Sequence, residues 1–329
     1  MKRTIVSLLA AIGIALPGIA AAQEKFPSRP IKIIVPFGPG SATDVTARTL
    51  GETMKTIMGQ QVIVENKPGA FGIISQDETV RSKPDGYTIT LQNVSTAAIT
   101  PQIYKKRYSY DFDKSLVAIS RVVELPGFMN ISPKELPDVK TWADLMEWSK
   151  KNPGKLRYAT TGVGAFTHFE GEMFQIKGGV KWDHIPMKEG PPAFIKGLLA
   201  GDIHLAAMTM PSIAGLVQAG QLRILATISE ARLPEYPDIP TLKEAGFGGI
   251  ATNNWSMMYA HADTPKPILD ALFDGITKAL NDPALVASYK KQVIIPTPSK
   301  SVEDAKAFQV HEVKHWREMI EKVNIKIED

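Results

Sequence analysis

The sequence predicts an α/β protein of two lobes, each built on a mainly parallel β-sheet flanked by helices. Short runs rich in β-branched residues alternate with helical periods, which is typical of doubly wound parallel sheets. The alternation restarts near residue 124 as a second series. The length of 329 residues also fits two units of roughly 150 residues each.

The first series joins three predicted strands to three predicted helices. The strand IKIIVPF precedes a helix over 44–58, QVIVEN precedes one over 73–82, and YTITLQN precedes one near 97–106. Proline and glycine separate these elements at Lys67-Pro68-Gly69 and Lys83-Pro84-Asp85-Gly86, where the chain needs tight turns. Each such turn starts or ends an element.

The second series repeats the same order of strand and helix. Its elements are the strand GFMNIS, a helix over 141–151, the strand LRYAT, a helix over 168–177, and strands at WDHIPM, 203–209 and 223–229. A strand over 254–262 then precedes closing helices near 265–280 and 301–323. The chain therefore crosses between lobes near 122–125 and 250–255, which we expect to form the hinge. Lobe 1 is predicted to comprise 23–123 plus 252–329, and lobe 2 to comprise 124–251.

The N-terminus predicts export. The chain begins Met-Lys-Arg, continues with an uncharged apolar run over 5–15, and reaches three alanines at 20–22. This is the pattern of a signal peptide over 1–22, cleaved after Ala22. The apolar run is shorter than the roughly 20 residues that a membrane-spanning helix needs.

Composition excludes several classes of protein. The net charge of +4 falls by two when Lys2 and Arg3 leave with the signal peptide, and charges of both signs are mixed along the chain, so no nucleic-acid surface is predicted. The absence of cysteine excludes a disulfide framework, a thiol nucleophile and a lipid-anchored cysteine.

A glycine loop follows the first predicted strand. Gly38 and Gly40 stand between a strand and a helix, as in the dinucleotide-binding fingerprint. The third glycine of that fingerprint is missing, because its position holds Thr43. The incomplete motif does not support a dinucleotide site.

The same spacing recurs in the second predicted lobe. Gly162-Val-Gly164-Ala-Phe-Thr167-His168 aligns with Gly38-Pro-Gly40-Ser-Ala-Thr43-Asp44, and each follows a strand and precedes a helix. Free N–H groups and the positive end of the dipole at a helix start favour an anion. Two such loops facing one cleft predict a two-sided clamp for a carboxylate.

Capping is the alternative reading of the hydroxyl groups in these loops. Ser41 with Asp44, and Thr167 with Glu170, have the spacing of a capping box, in which the side chain occupies the donors that a ligand would use. Asp44 would repel an anion, so its side chain is expected to cap or to pack behind the loop. His168 is either a ligand contact or a polar residue bonded to a neighbouring loop.

Further polar and aromatic residues lie near the predicted cleft. Asn93, Ser95 and Thr96 follow a strand and start a helix, where ligand-facing residues of such sheets are found. The aromatic rings that either enclose a ligand or belong to the core are Phe37, Phe166 and Trp255.

One motif suggests a different chemistry. His311, Glu312 and His315 match the zincin pattern HExxH, in which two histidines bind zinc and the glutamate acts as base. A third ligand would have to come from a downstream element, yet no histidine follows His315. No Gly-x-Ser-x-Gly motif is present either, so neither a zinc nor a serine hydrolase is favoured.

Seven stretches, in order along the chain, carry a resemblance to a known family. They are FPSRPIKIIVPFGPGSATDVTARTL, VIVENKPGAFG, KPDGYTITL, NPGKLRYATTGVGAFTHFEGEMF, LLAGDIHLAAM, AGQLRILA and LPEYPDIPTLKEAGF. With these stretches the sequence resembles the Bug family, the extracytoplasmic solute-binding proteins of tripartite tricarboxylate transporters. The likeness extends over essentially the whole predicted mature chain.

The resemblance implies a type II-like periplasmic binding fold whose lobes close on a carboxylate and deliver it to a membrane permease. It implies a periplasmic location, binding without catalysis, and no cofactor or metal. By position, the implied ligand-binding residues are Phe37, Gly40, Ser41, Ala42, Thr43, Ser95, Thr96, Gly164, Ala165, Phe166, Thr167 and His168. A sensor subunit for a two-component system would use the same site. A monomer is expected.

Four residues depart from the family pattern and make the predicted cleft less polar. Phe71 and Ile73 replace residues of a glycine-rich loop, Phe166 is bulkier than usual, and Thr209 stands where an aspartate is common. These changes predict a carboxylate with an aromatic or otherwise apolar body, in preference to a small amino acid or citrate.

Overall fold

A computed structural model describes residues 26–187, 189–229, 231–250, 254–323 and 325. The predicted signal peptide, its cleavage after Ala22 and the lobe boundary at 251/252 lie outside the described residues. Within these ranges, no helix is long and apolar enough to cross a membrane.

The first sheet contains six strands. They are β1 (Ile31–Val35), β2 (Val62–Asn66), β3 (Thr88–Asn93), β4 (Leu116–Leu125), β10 (Asn254–His261) and β11 (Ile295–Pro296). Their order is β11-β4-β10-β3-β1-β2. The strand β1 pairs in parallel with β2 and β3, whereas β10 is antiparallel to both β3 and β4.

The second sheet contains five strands. They are β5 (Phe128–Ile131), β6 (Leu156–Thr160), β7 (Trp182–Pro186), β8 (Leu205–Met208) and β9 (Arg223–Thr227), in the order β7-β6-β8-β5-β9. The strand β6 is parallel to β7 and β8, and only β5 runs against its neighbours β8 and β9. The predicted class, an α/β fold of two sheets, is confirmed.

Helices cover the faces of both sheets. They are α1 (Ala42–Met58), α2 (Ile73–Val80), α3 (Thr100–Ile103), α4 (Phe112–Ser115), α5 (Trp142–Lys151), α6 (Phe166–Gly178), α7 (Pro191–Ala200), α8 (Met210–Gln218), α9 (Lys266–Leu280), α10 (Pro283–Lys290) and α11 (Val302–Lys322). The amphipathic stripe of α9 illustrates the packing, since Leu272, Ile276 and Ala279 are fully buried.

Three buried clusters form the core. One packs β1 against α1 and α9, with Ile33, Leu50 and Leu272 as members. Another covers a face of the second sheet with α7 and α8. The largest includes residues from both lobes, and the rings of Phe169 in α6 and Trp316 in α11 lie 6.3 Å apart. The lobes are therefore in contact through apolar side chains.

Several predicted elements are corrected by the structure. The helix expected near 97–106 is a π-helical turn over Ser95–Ile99 followed by the four-residue α3 and a 3₁₀ turn over Lys105–Arg107. Proline at position 101 lacks an N–H donor and suits only the first turn of a helix, which limits regular extension there. The ten-residue β4 and the helices α7, α8 and α10 were missed.

The chain passes between the sheets after β4 and again before β10. The predicted hinge residues 122–125 belong to β4, where Val123 to Leu125 pair with Asn254 to Ser256 of β10. Two adjacent antiparallel segments thus carry the chain between the lobes. The predicted lobe boundaries and the hinge remain predictions.

Candidate functional site

In each lobe, loops with glycine and polar residues lie where the parallel strands end. In the first lobe, β1, β2 and β3 run in the same direction, so the loops at 36–41, 67–72 and 94–96 emerge at one edge. In the second lobe, the loop at 161–165 follows β6. Crevices at the carboxyl ends of strands are where open α/β sheets bind ligands.

The first-lobe glycine loop presents the start of α1. Gly40 has φ +81°, a conformation that favours glycine, and Ser41 follows with φ −65° and ψ 156° as the N-cap residue. The Ser41 hydroxyl accepts a hydrogen bond of 3.2 Å from the Asp44 N–H. The cap satisfies one of the first N–H groups, and those of Ala42 and Thr43 have no carbonyl acceptor within the helix.

Asp44 lies behind this loop, as predicted. Its carboxylate accepts hydrogen bonds from the Gly40 N–H (2.9 Å) and from Asn66 Nδ2 (2.8 Å), and Arg48 Nε donates to it at 3.1 Å. Asn66 also donates to the Phe37 carbonyl at 2.9 Å, which ties both ends of the loop to β2. Burial alone would raise the pKa of Asp44, but the hydrogen bonds from Arg48, Gly40 and Asn66 together lower it.

The second-lobe loop repeats the turn that precedes the helix. Gly164 has φ +81°, and Ala165 has φ −66° and ψ 151°. The Ala165 N–H donates to the Gly162 carbonyl at 3.2 Å, just as the Ser41 N–H donates to the Gly38 carbonyl at 3.2 Å. The loops differ at their first glycine, because Gly162 has φ +147° and Gly38 has no positive φ. The repeated spacing in the sequence therefore corresponds to one turn, at the second glycine and the N-cap residue, used twice.

The equivalence shows that Thr167 is not a cap. The helix α6 begins at Phe166 with Ala165 as its N-cap residue, which has no side-chain acceptor. His168 takes the position of Asp44, because its Nδ1 accepts a hydrogen bond of 3.2 Å from the Gly164 N–H. The capping alternative holds for Ser41 and is wrong for Thr167.

His168 belongs to a buried polar cluster. It is 7% exposed, and its ring stacks on that of His184 with centroids 3.8 Å apart. His184 Nε2 lies 2.6 Å from Thr160 Oγ1 at the end of β6. Burial lowers the pKa of both histidines to about 4, so both are neutral near pH 7. A neutral His168 can accept from Gly164, whereas an imidazolium cannot.

The third predicted segment is held by its own side chains. The Thr96 N–H donates to Asn93 Oδ1 at 3.2 Å, and the Asn93 N–H donates to Thr96 Oγ1 at 3.1 Å. Thr96 is 2% exposed, while Ser95 is only half-buried. These reciprocal bonds fix the end of β3 beside the first-lobe loop.

The lobes approach each other at Gly164. A Cβ atom built on Gly164 would lie 2.8 Å from Ile103 Cδ1 and 3.7 Å from the Tyr104 hydroxyl, both in lobe 1. Neither Ile103 nor Tyr104 is among the site residues that the sequence predicts. Their contact depends on how the lobes meet, which no local pattern encodes.

The aromatic candidates occupy different environments. Phe37 in the first-lobe loop and Phe166, the first residue of α6, are half-buried. Trp255 is 2% exposed, and its Nε1 donates to Glu312 Oε2 at 2.6 Å, so it is a core residue. Thr209 is the N-cap residue of α8 at the end of β8, with a hydroxyl rather than a carboxylate.

The HExxH segment lies on α11 (Val302–Lys322). Glu312 is 7% exposed and is engaged by Trp255, and the rings of His311 and His315 are 6.5 Å apart. Among the residues that the structure describes, no group of three His, Cys, Asp or Glu side chains is placed to hold a metal ion.

Two grooves with volumes of about 640 and 750 Å³ border α4 and α11. Asp113 and Arg317 line both of them. Neither groove, as far as the described residues show, is lined by any predicted ligand-binding residue. The repeated loops, and not the size of a cavity, thus mark the candidate site.

Solved structures with the same fold give the class of the protein. The periplasmic binding protein BugD superimposes with a TM-score of 0.77 and 30% identity, covering 92% of this chain and 99% of BugD. R. palustris Rpa4515 with adipate superimposes with a TM-score of 0.79 and 26% identity, covering 90% of this chain and 97% of Rpa4515. Together, fold and loops define a periplasmic solute-binding protein.

Sequence comparison gives the family. Residues 46–325 match the family described as "Tripartite tricarboxylate transporter family receptor". Protein BugT of Bordetella pertussis (strain Tohama I) is 32% identical over 327 residues, which are 97% of this chain and 98% of BugT. The chain belongs to this Bug-type receptor family, so the resemblance noted in the sequence is confirmed. These relatives are solute-binding receptors and not enzymes.

Proposed function

We propose that the protein binds a small carboxylate between its lobes and delivers it to a tripartite tricarboxylate-type permease. The repeated glycine loop carries this proposal. Two helix starts with matching backbone angles, at Gly40-Ser41 and Gly164-Ala165, stand at the carboxyl ends of strands in different lobes. Each helix start favours negative charge through free N–H groups and the helix dipole.

The backbone supplies most of the proposed grip. The N–H groups of Ala42, Thr43, Phe166 and Thr167 lie in the first turns of α1 and α6, where they lack carbonyl acceptors within the helix. Asp44 and His168 are occupied in holding the loops, so we assign them to positioning of these donors. The proposed ligand-binding residues are Phe37, Gly40, Ser41, Ala42, Thr43, Ser95, Thr96, Gly164, Ala165, Phe166 and Thr167. His168, which the sequence predicted as a ligand contact, is proposed to act through the loop that it holds.

Binding is proposed to close the lobes. A carboxylate that bridges both helix starts gains contacts in the closed state that the open state lacks, so its binding raises the closed population. The antiparallel segments of β4 and β10 that link the lobes would bend as the hinge.

The body of the ligand is proposed to be apolar or aromatic. Half-buried Phe37 and Phe166 belong to the two loops, and Thr209 supplies no carboxylate for a ligand ammonium group. The relative Rpa4515 was solved with adipate, a linear dicarboxylate with an apolar methylene chain. We extend that chemistry to this chain as part of the proposal.

A thermal-shift screen tests the proposal. The mature protein, unfolded and refolded to remove carried-over ligand, is heated with benzoate, adipate, malate, citrate and aspartate. A ligand that binds only the folded state raises the melting temperature in a saturable way. A shift with citrate or aspartate but not with benzoate or adipate would contradict the proposed ligand class, and no shift with any acid would contradict carboxylate binding.

Introduced charge then tests the location of the site. Ser41→Asp and Thr167→Asp place a carboxylate where the ligand carboxylate would bind, and repulsion should weaken binding at least about a hundredfold. Both helices should still fold, because aspartate is favourable at an N-cap or in a first turn. Ser301→Asp at the N-cap of α11 is the matched control, since the Ser301 hydroxyl also accepts from the N–H three residues later. Unchanged affinity in Ser41→Asp or Thr167→Asp would remove that loop from the site.

Transport assays test the partner. Uptake of the bound acid by membranes carrying the cognate permease should require this protein. Signalling through a histidine kinase without uptake would favour the sensor alternative. Light scattering of the purified protein checks the expected monomer.

A further inference from the structure

The loop after β2 contains four consecutive residues with positive φ. They are Gly69 (+126°), Ala70 (+45°), Phe71 (+56°) and Gly72 (+94°). Such angles are uncommon for residues with a side chain, and for a bulky residue such as phenylalanine they are a genuine outlier. Outliers of this kind persist only where the surrounding structure imposes them, and they cluster at binding sites.

Packing on the site imposes this conformation. A Cβ on Gly72 would lie 2.5 Å from Thr96 Cγ2 and 3.5 Å from Pro36 Cβ, so the loop backbone is pressed against the ends of β1 and β3. The Gly72 N–H also donates to the Gly69 carbonyl at 3.0 Å, which closes the turn. The loop is therefore part of the same edge as the proposed carboxylate grip.

Phe71 remains half exposed despite this packing. Its large apolar side chain is 50% exposed. Its ring stacks on Tyr104, with centroids 4.6 Å apart and planes inclined by 16°. The guanidinium of Arg107 also lies over the Tyr104 ring, 4.7 Å from its centroid. The Phe71 ring is thus held in place and keeps surface free for another group.

Tyr104 connects this ring to the second lobe. It is 4% exposed, and its hydroxyl lies 3.7 Å from the position that a Cβ on Gly164 would occupy. The Phe71 loop touches Thr96 at one end, and its stacking partner reaches Gly164 at the other. The Phe71–Tyr104 pair consequently borders the crevice between the two proposed anion-binding loops.

We infer that Phe71, supported by Tyr104, is the residue that selects the ligand body. The inference rests on the proposed function, because the carboxylate must first be held by the glycine loops. An apolar chain or an aromatic ring attached to that carboxylate would pack on the exposed face of Phe71. Stacking and burial of apolar surface favour such a ligand, whereas a short hydroxylated acid gains little from the same surface.

The strained backbone lowers the entropy cost of ligand contact with the Phe71 ring. A side chain on a relaxed loop would lose conformational freedom on binding a ligand, which weakens association. Phe71 is already fixed by its left-handed backbone and by Tyr104, so the contact requires little further ordering. The Phe71 ring is therefore a preorganised apolar contact surface for the ligand body.

Binding constants of three acids to Phe71 variants test the inference. Calorimetry measures adipate, benzoate and malate with the wild-type protein, Phe71→Ala and Phe71→Trp. Adipate and benzoate should bind about tenfold more weakly to Phe71→Ala, as expected for one lost aromatic contact with its buried area, while malate should change less than about twofold. Phe71→Trp should restore the binding of benzoate, and the indole fluorescence should respond to it.

Ile176→Ala is the matched control. Ile176 is also an exposed apolar residue, at 59%, but it lies in the last turn of α6, far from that helix's start. Its replacement should leave all three affinities unchanged. Melting temperatures of all variants show whether each one folds.

The outcomes separate this inference from the proposed function. If the wild-type protein binds adipate or benzoate and Phe71→Ala binds them equally well, the role of Phe71 is refuted while the receptor function stands. An equal loss for all three acids would also refute selection, because it would mean general damage to the site. Failure of the wild-type protein to bind any of the carboxylates would instead overturn the proposed function.

Discussion

Replacing Asp44 with alanine should destabilise the first-lobe loop and weaken carboxylate binding. Asp44 is 2% exposed and accepts hydrogen bonds from Gly40, Asn66 and Arg48. Without the carboxylate, the exposed Gly40 N–H and the half-buried Asn66 amide lose a charged acceptor, which water replaces only in part. The Gly40 N–H would no longer be held, so the start of α1 should lose its fixed geometry.

The structure sets the size of the effect. The hydrogen bonds from Gly40 and Asn66 to the charged carboxylate are each worth about 2 kcal/mol. Arg48 adds less than about 1 kcal/mol, because its side chain is 50% exposed and solvent screens the pair. Since effects within one network are not additive, we expect a loss of about 3 kcal/mol in unfolding free energy and a decrease of about 5 °C in melting temperature.

A second aspartate in the same lobe provides the control. Asp77 also pairs with an arginine four residues later, Arg81, at 2.9 Å. Its pair is exposed, with side-chain exposures of 30% and 74%, so Asp77→Ala should cost less than about 0.5 kcal/mol. Only Asp44 touches the glycine loop, and only its replacement should affect binding.

Urea denaturation followed by circular dichroism, together with calorimetry using adipate, measures both effects. Asp44→Ala should bind adipate at least about tenfold more weakly than Asp77→Ala. The reasoning would be refuted if the two variants had equal stability and equal affinity. It would also be refuted if Asp44→Ala bound adipate more tightly, since that would mean that Asp44 repels the ligand instead of positioning its donors.

Two further predictions concern the second lobe. Burial lowers the pKa of His168 to about 4 in the folded protein, so as the pH falls the unfolded chain takes up this proton before the folded protein does. The contribution of His168 to the free energy of unfolding is therefore fully present above about pH 6.5 and should fall by about 3 kcal/mol as the pH approaches 4. Urea denaturation at several pH values should show a smaller pH dependence for His168→Gln than for the wild-type protein, and an equal dependence would exclude His168 as its source, leaving His184 as the candidate. Gly164→Ala should weaken adipate binding at least about tenfold, because φ is +81° and the added methyl meets the other lobe at 2.8 Å. Gly179→Ala, with φ +61° and open space around it, should lower stability by about 1 kcal/mol and leave affinity unchanged; equal binding by both variants would contradict the close approach of the lobes.

The sequence predicted the local elements of the fold correctly where periodicity is strong. The helices over 44–58, 141–151 and 301–323 are found within about two residues of their predicted ends. The prediction of a regular helix after β3 was wrong, because three short turns of different type leave no sustained period to detect. The strand β4 (Leu116–Leu125) was not predicted, because the end of this apolar segment was interpreted only as the place where the chain crosses between the lobes.

The turn shared by the two loops follows from the local sequence. The second glycine of each repeat, Gly40 or Gly164, has φ +81°, and this positive φ is a local property that the repeated spacing predicts. The position of Asp44 behind its loop was also predictable, since a carboxylate near a helix start accepts hydrogen bonds from N–H groups within four residues.

The assembly of the site depends on the tertiary structure. The placement of β10 between β3 and β4, the approach of Ile103 and Tyr104 to Gly164, and the stacking of Phe71 on Tyr104 all join segments separated by about thirty residues or more. Such contacts depend on which strands pair and on how two lobes close, and these are properties of the whole buried surface. Local periodicity and turn chemistry act over a few residues, so they specify the pieces of the site but not their assembly.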